Sequence, residues 1–478
     1  MRQSALFTDF YSLTMAHGYW KMNMNRRAVF EMFFRRNPFS GGFSVFAGLE
    51  PLLQKIQRFA FSPDDIEFLK SRLIFDDGFF DYLRDFRFRG SLWAMDEGRV
   101  VFPQEPLIRV DGGLVECQIL EGLILNSINF SSLVATKTAR VWLASGKGAV
   151  MEFGLRRAQG PDGAMSASRS AYIGGAFGTS NVLAGKEFGI PVLGTMAHSW
   201  VMSFPGEEEA FRAYADIFPK NPVFLIDTVD TLRSGVPAAI KVGKELAARG
   251  VNFGVRLDSG DIDYLSREVR RRLDDAGLPN ATISVSNDLD EFIIQTLHDA
   301  GAPVNSWGVG TQMVTGGTDA AFTGVYKLMG KYDGDTLTPT IKFSDNPEKT
   351  TTPGMKQVWR VMDKWGQAVA DVLSLEGGET PETGKHHAFW HTSADYRHFY
   401  HVPETDAVPL LKERLRNGEP VRDSSSLDDI RALTRYDLET FDGSYKRIMN
   451  PHVYKVSIMT ELRALKLRLI NNFLGGLS

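Results

Sequence analysis

Residues that bind ligands or move protons follow one short apolar run after another in the middle of this chain. They are, in chain order, Phe153 and Arg156, Thr179 and Ser180, Thr195 and His198, Asp227 and Asp230, Arg256 with Asp258 and Ser259, Asn287 and Asp288, and Gly308, Gly310 and Thr311. Any single one is explained as a capping residue or a surface residue. Their recurrence predicts a site, because the interior of a sheet or barrel needs only branched apolar residues.

Arg256 and Asp258 suit a ligand that carries both an acid group and a sugar. A guanidinium pairs with a carboxylate through two parallel hydrogen bonds, and a carboxylate accepts hydrogen bonds from ribose hydroxyls. His198, in GTMAHSW, lies at another strand end. A lone histidine in such a place is more often structural, but a carboxylate from Asp227 or Asp230 would orient it and make it more basic.

Two further segments fit anionic groups. The turn in WGVGTQ exposes backbone N–H groups that can bind a phosphate, although a plain tight turn explains it equally well. It matches neither the dinucleotide-binding fingerprint nor the Walker motif. Basic residues are concentrated in FFRRNPF and in IKFSDNPEKTTTPGMKQVWR, which either are solvated loops or form a shaped loop around a diphosphate; they are Arg35, Arg36, Lys342, Lys349, Lys356 and Arg360.

Composition excludes several classes of function. The formal net charge of the 478 residues is −4, so no positive field attracts nucleic acid or an anionic membrane. We find no targeting segment and no run of about 18 apolar residues. Cys117 is the only cysteine, which rules out an internal disulfide and a thiolate cluster and favours the cytoplasm. The histidine cluster has no zinc-like spacing, so we do not predict a metal site there; its members are His386, His387, His391, His398 and His401.

The elements that position these residues follow from hydrophobic periodicity. From about Ala149 to Met329, short apolar runs alternate with helical patterns, which predicts a parallel sheet of about eight strands. Such alternation fits a (β/α) barrel or an open doubly wound sheet, and both place ligands at the carboxyl ends of the strands. After RLDSGD, residues 262–273 show helical spacing with Asp261 as the predicted cap. The two ends of the chain have a mixed α+β pattern, and the tail LRALKLRLI predicts a docked surface helix.

Taken together, several of these stretches resemble the nicotinate phosphoribosyltransferase family. They run in order through most of residues 8–360, and the matching segments are TDFYSLTMAHGYW, FEMFFRRNP, FSVFAGLEPLL, EFGLRRAQGPDGAMSASRSAYIGGAFGTSNV, GTMAHSW, LIDTVDTLRSG, VRLDSGD, SVSNDLDE, VGTQMVTG and NPEKTTTPGMKQVWR. The resemblance implies an irregular (β/α) barrel of the type II phosphoribosyltransferase kind over residues 135–334. It also implies a flanking α+β domain built from residues 1–134 and 335–478, and a head-to-tail homodimer with shared active sites.

The same resemblance assigns roles to matching positions. Tyr11, supplied by the partner subunit, and Phe153 should stack on the pyridine ring, and Arg256 should pair with the nicotinate carboxylate, with Ser180 and Thr195 in the same pocket. His198 matches the histidine that ATP phosphorylates, with Asp227 to orient it, and Asp258 should hold the ribose hydroxyls. Phosphoribosyl pyrophosphate, with Mg²⁺, should be bound by a set of basic residues and one turn: Arg36, Arg156, Gly308, Gly310, Thr311, Lys349 and Lys356.

Three alternatives stay open at this point. In nicotinamide phosphoribosyltransferase an Asp stands at the position of Ser180, and its charge would repel a substrate carboxylate, so Ser180 favours nicotinate. Quinolinate phosphoribosyltransferase lacks the ATP-linked histidine and is much shorter. A catalytically idle paralogue would bind a nucleotide or a partner without turnover, but no catalytic position is visibly lost in this sequence.

Overall fold

The computed structural model describes residues 4–346, 349–382, 386–392 and 406–475, and the backbone alone of 397–400. The chain divides into two compact units. The flanking unit comprises Met1–Leu133 and Ala321–Ser478, and the barrel unit comprises Val134–Ala320. The first division falls close to the boundary expected from the sequence, whereas the second lies before the expected residue 335.

The helices and strands of the described residues are numbered in chain order. The strands are β1 (Arg27–Phe34), β2 (Ser44–Val45), β3 (Ser91–Ala94), β4 (Val100–Val101), β5 (Ile108–Gly113), β6 (Ala149–Glu152), β7 (Gly178–Thr179), β8 (Val223–Leu225), β9 (Gly254–Leu257), β10 (Thr282–Val285), β11 (Ser306–Val309), β12 (Gly324–Asp333), β13 (Thr336–Pro339), β14 (Lys356–Met362), β15 (Ala368–Leu375), β16 (Ala388–His391), β17 (Arg397–Tyr400), β18 (Asp406–Pro409), β19 (Lys412–Arg416), β20 (Glu419–Pro420) and β21 (Val456–Ile458). The helices are α1 (Phe10–Lys21), α2 (Leu49–Arg58), α3 (Pro63–Lys70), α4 (Asp77–Arg84), α5 (Leu114–Ala144), α6 (Gly160–Ile173), α7 (Val182–Phe188), α8 (His198–Met202), α9 (Glu207–Ile217), α10 (Val236–Ala248), α11 (Ile262–Asp275), α12 (Glu291–Asp299), α13 (Thr311–Thr315), α14 (Leu427–Glu439), α15 (Gly443–Lys446) and α16 (Thr460–Gly475).

The barrel unit contains a six-stranded sheet in the order β7-β6-β11-β10-β9-β8, and all its pairs are parallel. Its first strand in the chain, β6, pairs with its last strand, β11. Strands that follow one another in the chain also pair, except that β7 does not pair with β8. An open doubly wound sheet does not pair its first and last strands in this way. The unit is therefore an irregular (β/α) barrel that is open between β7 and β8, where Val192 makes only an isolated bridge to Thr179.

The parallel sheet has fewer strands than the apolar runs predicted. The run PVLGTM contributes only the bridge at Val192, and the run GVYKLM forms β12, which pairs antiparallel with β1 of the flanking unit. Because β12 follows β1 from Ala28 opposite Lys331 to Phe34 opposite Gly324, residues 324–333 belong to the flanking unit. The helical predictions fared better: α11 begins where expected, and the Asp261 side chain accepts from the backbone N–H of Tyr264 at 3.1 Å.

Both ends of the chain build the flanking unit. A seven-stranded sheet has the order β13-β12-β1-β5-β3-β19-β20, so strands from residues 27–113 lie between strands from residues 324–420. A second sheet has the order β17-β16-β21-β15-β14-β18, and a third pairs β2 with β4. The last helix, α16, buries Leu462 and Leu465, which agrees with a docked surface helix.

Helix α5 is long and apolar enough to cross a membrane by length and composition alone. Within it, 61% of the most apolar window is buried inside the protein, as expected of a core helix. It also carries two buried cations, Lys137 and Arg140, which lie 2.5 and 2.9 Å from the carboxylate of Glu291 on α12. Burial alone would raise the pKa of Glu291, but these two charges lower it. This ion-pair triad of Lys137, Arg140 and Glu291 therefore connects α5 with α12, the helix that follows β10.

We expect Glu291→Ala to lower the free energy of unfolding of the barrel unit by about 3–5 kcal/mol, because it leaves two buried cations without their anion. Glu268 is the control, since its pair with Arg271 on α11 lies at the surface and its replacement by Ala should leave the unfolding midpoint nearly unchanged. Urea unfolding followed by circular dichroism measures both. Equal midpoints for the two variants would show that the triad contributes nothing.

Candidate active site

Parallel strands place their carboxyl ends at one edge, and the predicted polar residues gather there. Arg256 lies on β9, Asp258 directly follows β9, and Asp227 lies just beyond β8. Asp227 accepts from the backbone N–H of Asp258 at 2.9 Å and from the hydroxyl of Ser259 at 2.6 Å. One carboxylate thereby fixes the turn that follows the neighbouring strand.

Arg256 is a half-buried cation within this edge. Its Nη1 donates to the hydroxyl of Thr195, and its Nε is buried without a hydrogen-bond partner among the described residues. Desolvation lowers the pKa of Arg256, while the nearby charges of Asp258 and Asp227 oppose that effect. A partly desolvated guanidinium attracts an anion more strongly than one in water, because the local dielectric is lower. Arg256 and Thr195, both predicted for one pocket, are therefore in contact.

His198 begins α8, and its side chain is 42% exposed. Its Nδ1 lies 3.1 Å from the hydroxyl of Thr228, and its Nε2 lies 3.7 Å from the carboxylate of Asp258. The expectation that Asp227 orients His198 is wrong for this structure, because the Asp227 carboxylate is turned to the Asp258–Ser259 turn instead. The hydroxyl of Thr228, the next residue in the chain, contacts the imidazole instead.

Asp258 has a second partner that sequence reasoning missed. The hydroxyl of Ser286, just after β10, donates to the Asp258 carboxylate. The signal for Ser286 was its place in SVSND, one residue before the polar pair that was predicted. Asp258 is thus held by its backbone through Asp227 and by its side chain through Ser286, and it faces the imidazole of His198. An acceptor fixed in this way can bind hydroxyl groups without reorganising.

The turns after β6 and β11 are packed against each other. The backbone N–H of Phe153 donates to the carbonyl of Val309 at 2.8 Å. A Cβ at Gly308 would lie 2.8 Å from the ring of Phe153, and a Cβ at Gly310 would lie 3.2 Å from the Phe153 carbonyl. Gly308, predicted to bind phosphate, is therefore required first as the surface on which the Phe153 ring rests.

Arg157, rather than Arg156, contacts the turn predicted to bind phosphate. Its Nη1 donates to the hydroxyl of Thr311 at 3.0 Å and lies 3.7 Å from Asp288. Arg156 is exposed, and its charge contributes to the lowered pKa of Arg256, so it adds to the positive potential there. The sequence offered no means of choosing between two adjacent arginines.

Of the predicted ligands, Tyr11, Arg36, Lys349 and Lys356 belong to the flanking unit. Tyr11 lies on α1 with 48% of its surface exposed, and desolvation, followed by the hydrogen bond to Glu121, raises its pKa to about 12. Arg36 and Lys349 have exposed side chains. The side chains of Tyr11, Arg36 and Lys349 are therefore accessible to a ligand.

Lys356 is different, and its prediction as a diphosphate ligand is wrong. Its ammonium group is buried 2.8 Å from the carboxylate of Glu31 and donates to the carbonyls of Thr352 and Gly354 at 2.7 and 2.9 Å. Arg360, from the same basic stretch, is equally buried against Asp371 and Asp437. Half of the basic residues in that stretch are therefore parts of the flanking core.

The described residues contain no group of three or more His, Cys, Asp or Glu side chains arranged to hold a metal ion. Of the histidine cluster, His387 lies 3.5 Å from Glu379 and accepts from the backbone N–H of Glu382. The side chain of His398 and all of His401 lie outside the described residues.

Comparisons with known proteins identify the family of this chain. Three family models match in order: the nicotinate phosphoribosyltransferase N-terminal domain over residues 6–129, the family's own model over 149–364, and its C-terminal domain over 355–466. Nicotinate phosphoribosyltransferase of Bacillus subtilis is 40% identical over 98% of this chain and 95% of its own. The human enzyme of that name is 35% identical over 99% and 97%.

Solved structures show the same fold. The crystal structure of human nicotinic acid phosphoribosyltransferase matches with a TM-score of 0.83 and 32% identity, covering 97% of this chain and 99% of its own. Nicotinate-nucleotide pyrophosphorylase from Pyrococcus furiosus matches with a TM-score of 0.71 at 21% identity over 91% and 95%, which supports the fold alone. The predicted fold class, an irregular (β/α) barrel with a flanking domain from both chain ends, is confirmed. Since the family models and the relatives span nearly the whole chain, and the fold agrees with the human structure, this chain belongs to the nicotinate phosphoribosyltransferase family.

Proposed function

We propose that this chain joins nicotinate to the ribose-phosphate of phosphoribosyl pyrophosphate, releasing nicotinate mononucleotide and pyrophosphate, in a reaction driven by ATP. The observation that carries the proposal is the half-buried Arg256 beside Thr195 and close to the carboxylate of Asp258, at the carboxyl ends of the barrel strands. A planar cation for an acid and a fixed acceptor for hydroxyls are the two groups that this pair of substrates requires.

The reaction needs positioning more than covalent chemistry. Displacement of pyrophosphate at the anomeric carbon passes through a loosely bonded, cationic state, so the enzyme must align a weak pyridine nucleophile and stabilise the leaving charge. Phe153 supplies a ring held on Gly308, and Arg256 fixes the carboxylate end of nicotinate. The exposed Arg36, Arg156 and Lys349 are the proposed partners of the phosphates.

We propose that Mg²⁺ binds together with the diphosphate of phosphoribosyl pyrophosphate. It binds oxygen ligands, and it commonly uses one or two carboxylates together with substrate phosphates. Asp227 and Asp258 offer such carboxylates, and Oδ1 of Asp227 is buried without a hydrogen-bond partner among the described residues, so the donor set fits. When bound, the ion would neutralise charge on the leaving pyrophosphate. Asp227 and Asp258 are the residues that would hold it.

ATP enters the proposal through His198. Transfer of the γ-phosphoryl group to an imidazole nitrogen releases ADP, and later attack by water releases phosphate and restores the histidine. The imidazole is partly exposed, its Nδ1 lies within hydrogen-bond distance of the Thr228 hydroxyl, and its Nε2 lies 3.7 Å from the Asp258 carboxylate. A phosphoryl group adds nearly two negative charges at this strand end, which can order basic loops over the substrates.

Ser180 is a neutral, partly exposed residue, so no carboxylate at that position repels nicotinate.

Tyr11 lies beside other exposed apolar residues, Phe7 at 54% and Phe10 at 52% exposure, which supports a homodimer in which α1 meets the partner subunit. With a single buried cysteine, Cys117, the chain suits the reducing cytoplasm.

We expect a strong preference for nicotinate when nicotinate, nicotinamide and quinolinate are offered in parallel and the products are separated. Losing the charge-assisted contact with Arg256 should cost the amide about 2–4 kcal/mol in transition-state binding. Arg256→Ala should lower kcat/KM for nicotinate by the factor that corresponds to the same free-energy loss, and Arg256→Lys should recover part of that kcat/KM. Comparable kcat/KM for acid and amide would contradict the proposal, and no turnover of any substrate would favour an idle paralogue.

We expect His198→Asn to abolish the stimulation of synthesis by ATP while slow, ATP-independent synthesis persists at high phosphoribosyl pyrophosphate. The phosphate-binding positions stay intact in this variant, so only the energetic coupling should be lost. Thr228→Val is the matched control, because it keeps the imidazole but removes the hydroxyl near Nδ1. ATP hydrolysis that still follows product formation in the His198→Asn variant would show that the assignment is incorrect.

A mixed-dimer experiment tests the shared site. Tyr11→Ala and Arg256→Ala should each be severely impaired as homodimers, one lacking the stacking ring and the other the partner of the carboxylate. In a mixed dimer one of the two pockets has both residues intact. Random reassembly of equal amounts makes about half of the dimers mixed, so activity should recover to roughly a quarter of wild type. Absence of recovery after confirmed subunit exchange would place both residues in one chain's pocket.

A further inference from the structure

Glu152, the last residue of β6 and the neighbour of Phe153 in the chain, is a carboxylate buried to 1% exposure. It accepts hydrogen bonds from three segments: the backbone N–H of Gly154, the hydroxyl of Ser168 on α6 at 2.9 Å, and the hydroxyl of Thr179 at the end of β7. Its backbone carbonyl also accepts from the N–H of Ser180 at 2.9 Å. Burying a carboxylate is costly unless its oxygens are hydrogen-bonded in this way.

The three donors lead to two sides of the pocket. Gly154 immediately follows Phe153, whose own N–H is bound to Val309, so the peptides on both sides of the Phe153 Cα are held. Thr179 immediately precedes Ser180, and its hydroxyl oxygen also accepts from the N–H of Asn181 at 2.9 Å. Glu152 is thus bonded to the residue after the stacking ring and to the residue before the specificity position.

We propose that Glu152 is a positioning residue for nicotinate: its carboxylate fixes the Phe153 turn against the Thr179–Ser180 strand end, so that the ring face and the polar wall of the pocket keep one spacing. The inference rests on the proposed function. Glu152 touches no substrate in this scheme. It acts on the binding of the pyridine ring, and its carboxylate accepts no hydrogen bond from the residues proposed for phosphoribosyl pyrophosphate.

The test compares Glu152→Gln with Glu291→Gln. An amide has one acceptor oxygen, so it cannot serve the Gly154 N–H while both hydroxyls keep donating to it. Glu291 is an equally buried carboxylate in the same unit, on α12 and bonded to Lys137 and Arg140 instead of the pocket. It therefore measures what a buried carboxylate contributes to stability alone.

We expect Glu152→Gln to raise the KM for nicotinate about tenfold or more, with kcat and the KM for phosphoribosyl pyrophosphate changed by less than about threefold. Glu291→Gln should lower the Tm and leave the KM for nicotinate unchanged. Should Glu152→Gln fail to fold, Thr179→Val tests the same contact, since it should raise the KM for nicotinate and Thr179→Ser should restore it.

Two results would overturn the inference. One is an unchanged KM for nicotinate in Glu152→Gln and Thr179→Val. The other is a parallel loss of kcat and of both KM values together with Tm, as expected of a purely structural role. Calorimetric titration of nicotinate into wild type and Glu152→Gln, with phosphoribosyl pyrophosphate absent, separates this inference from the proposed function. A wild type that binds nicotinate but never forms nicotinate mononucleotide contradicts the function, while the ratio of the two affinities still decides the role of Glu152.

Discussion

The pairing of β6 with β11 is the constraint on which the candidate site depends. It joins the first and last strands of the barrel from Ala149 opposite Ser306 to Glu152 opposite Val309. Because the strands run parallel, the turn that bears Phe153 meets the glycine-containing turn before α13, and the ring lies on Gly308 where a Cβ would collide with it. In the usual order of an open doubly wound sheet the first and last strands are not neighbours, so Phe153 would lie apart from the turn proposed for phosphate.

Around this pairing, carboxylates hold the strand ends to one another. Asp227 after β8 binds the turn after β9, Ser286 after β10 binds Asp258, and Glu152 on β6 binds the end of β7. Each bond links neighbouring strands through a side chain at the edge where the backbone ladder stops. Such fixed acceptors and donors need little reorganisation when charge develops in a transition state. The same arrangement leaves Arg256 partly desolvated and ready for an anion.

Buried charge has a different use away from this edge. Each of the two units contains buried ion pairs: Lys356 with Glu31, Arg360 with Asp371, and Lys137 and Arg140 with Glu291. If one partner of such a pair is removed, the other charge stays buried without a counter-ion or water. In the sequence, a lysine of this kind has the same appearance as a lysine that binds substrate. The basic stretch after residue 341 contains a buried lysine, Lys356, and an exposed one, Lys349, which only the structure distinguishes.

The sequence by itself determined the family, the alternation of strands with helices, the Asp261 cap of α11 and the order of polar residues along the strand ends. These depend on local spacing and on motifs, which the chain carries without reference to its fold. Only the tertiary structure decided that the sheet is a barrel open between β7 and β8, that β12 belongs to the flanking sheet, that Thr228 rather than Asp227 contacts His198, and that Lys356 is internal. Whether a sheet closes into a barrel, which sheet a strand joins and which side chains meet all depend on contacts between residues far apart in the chain. Local periodicity carries no information about those contacts.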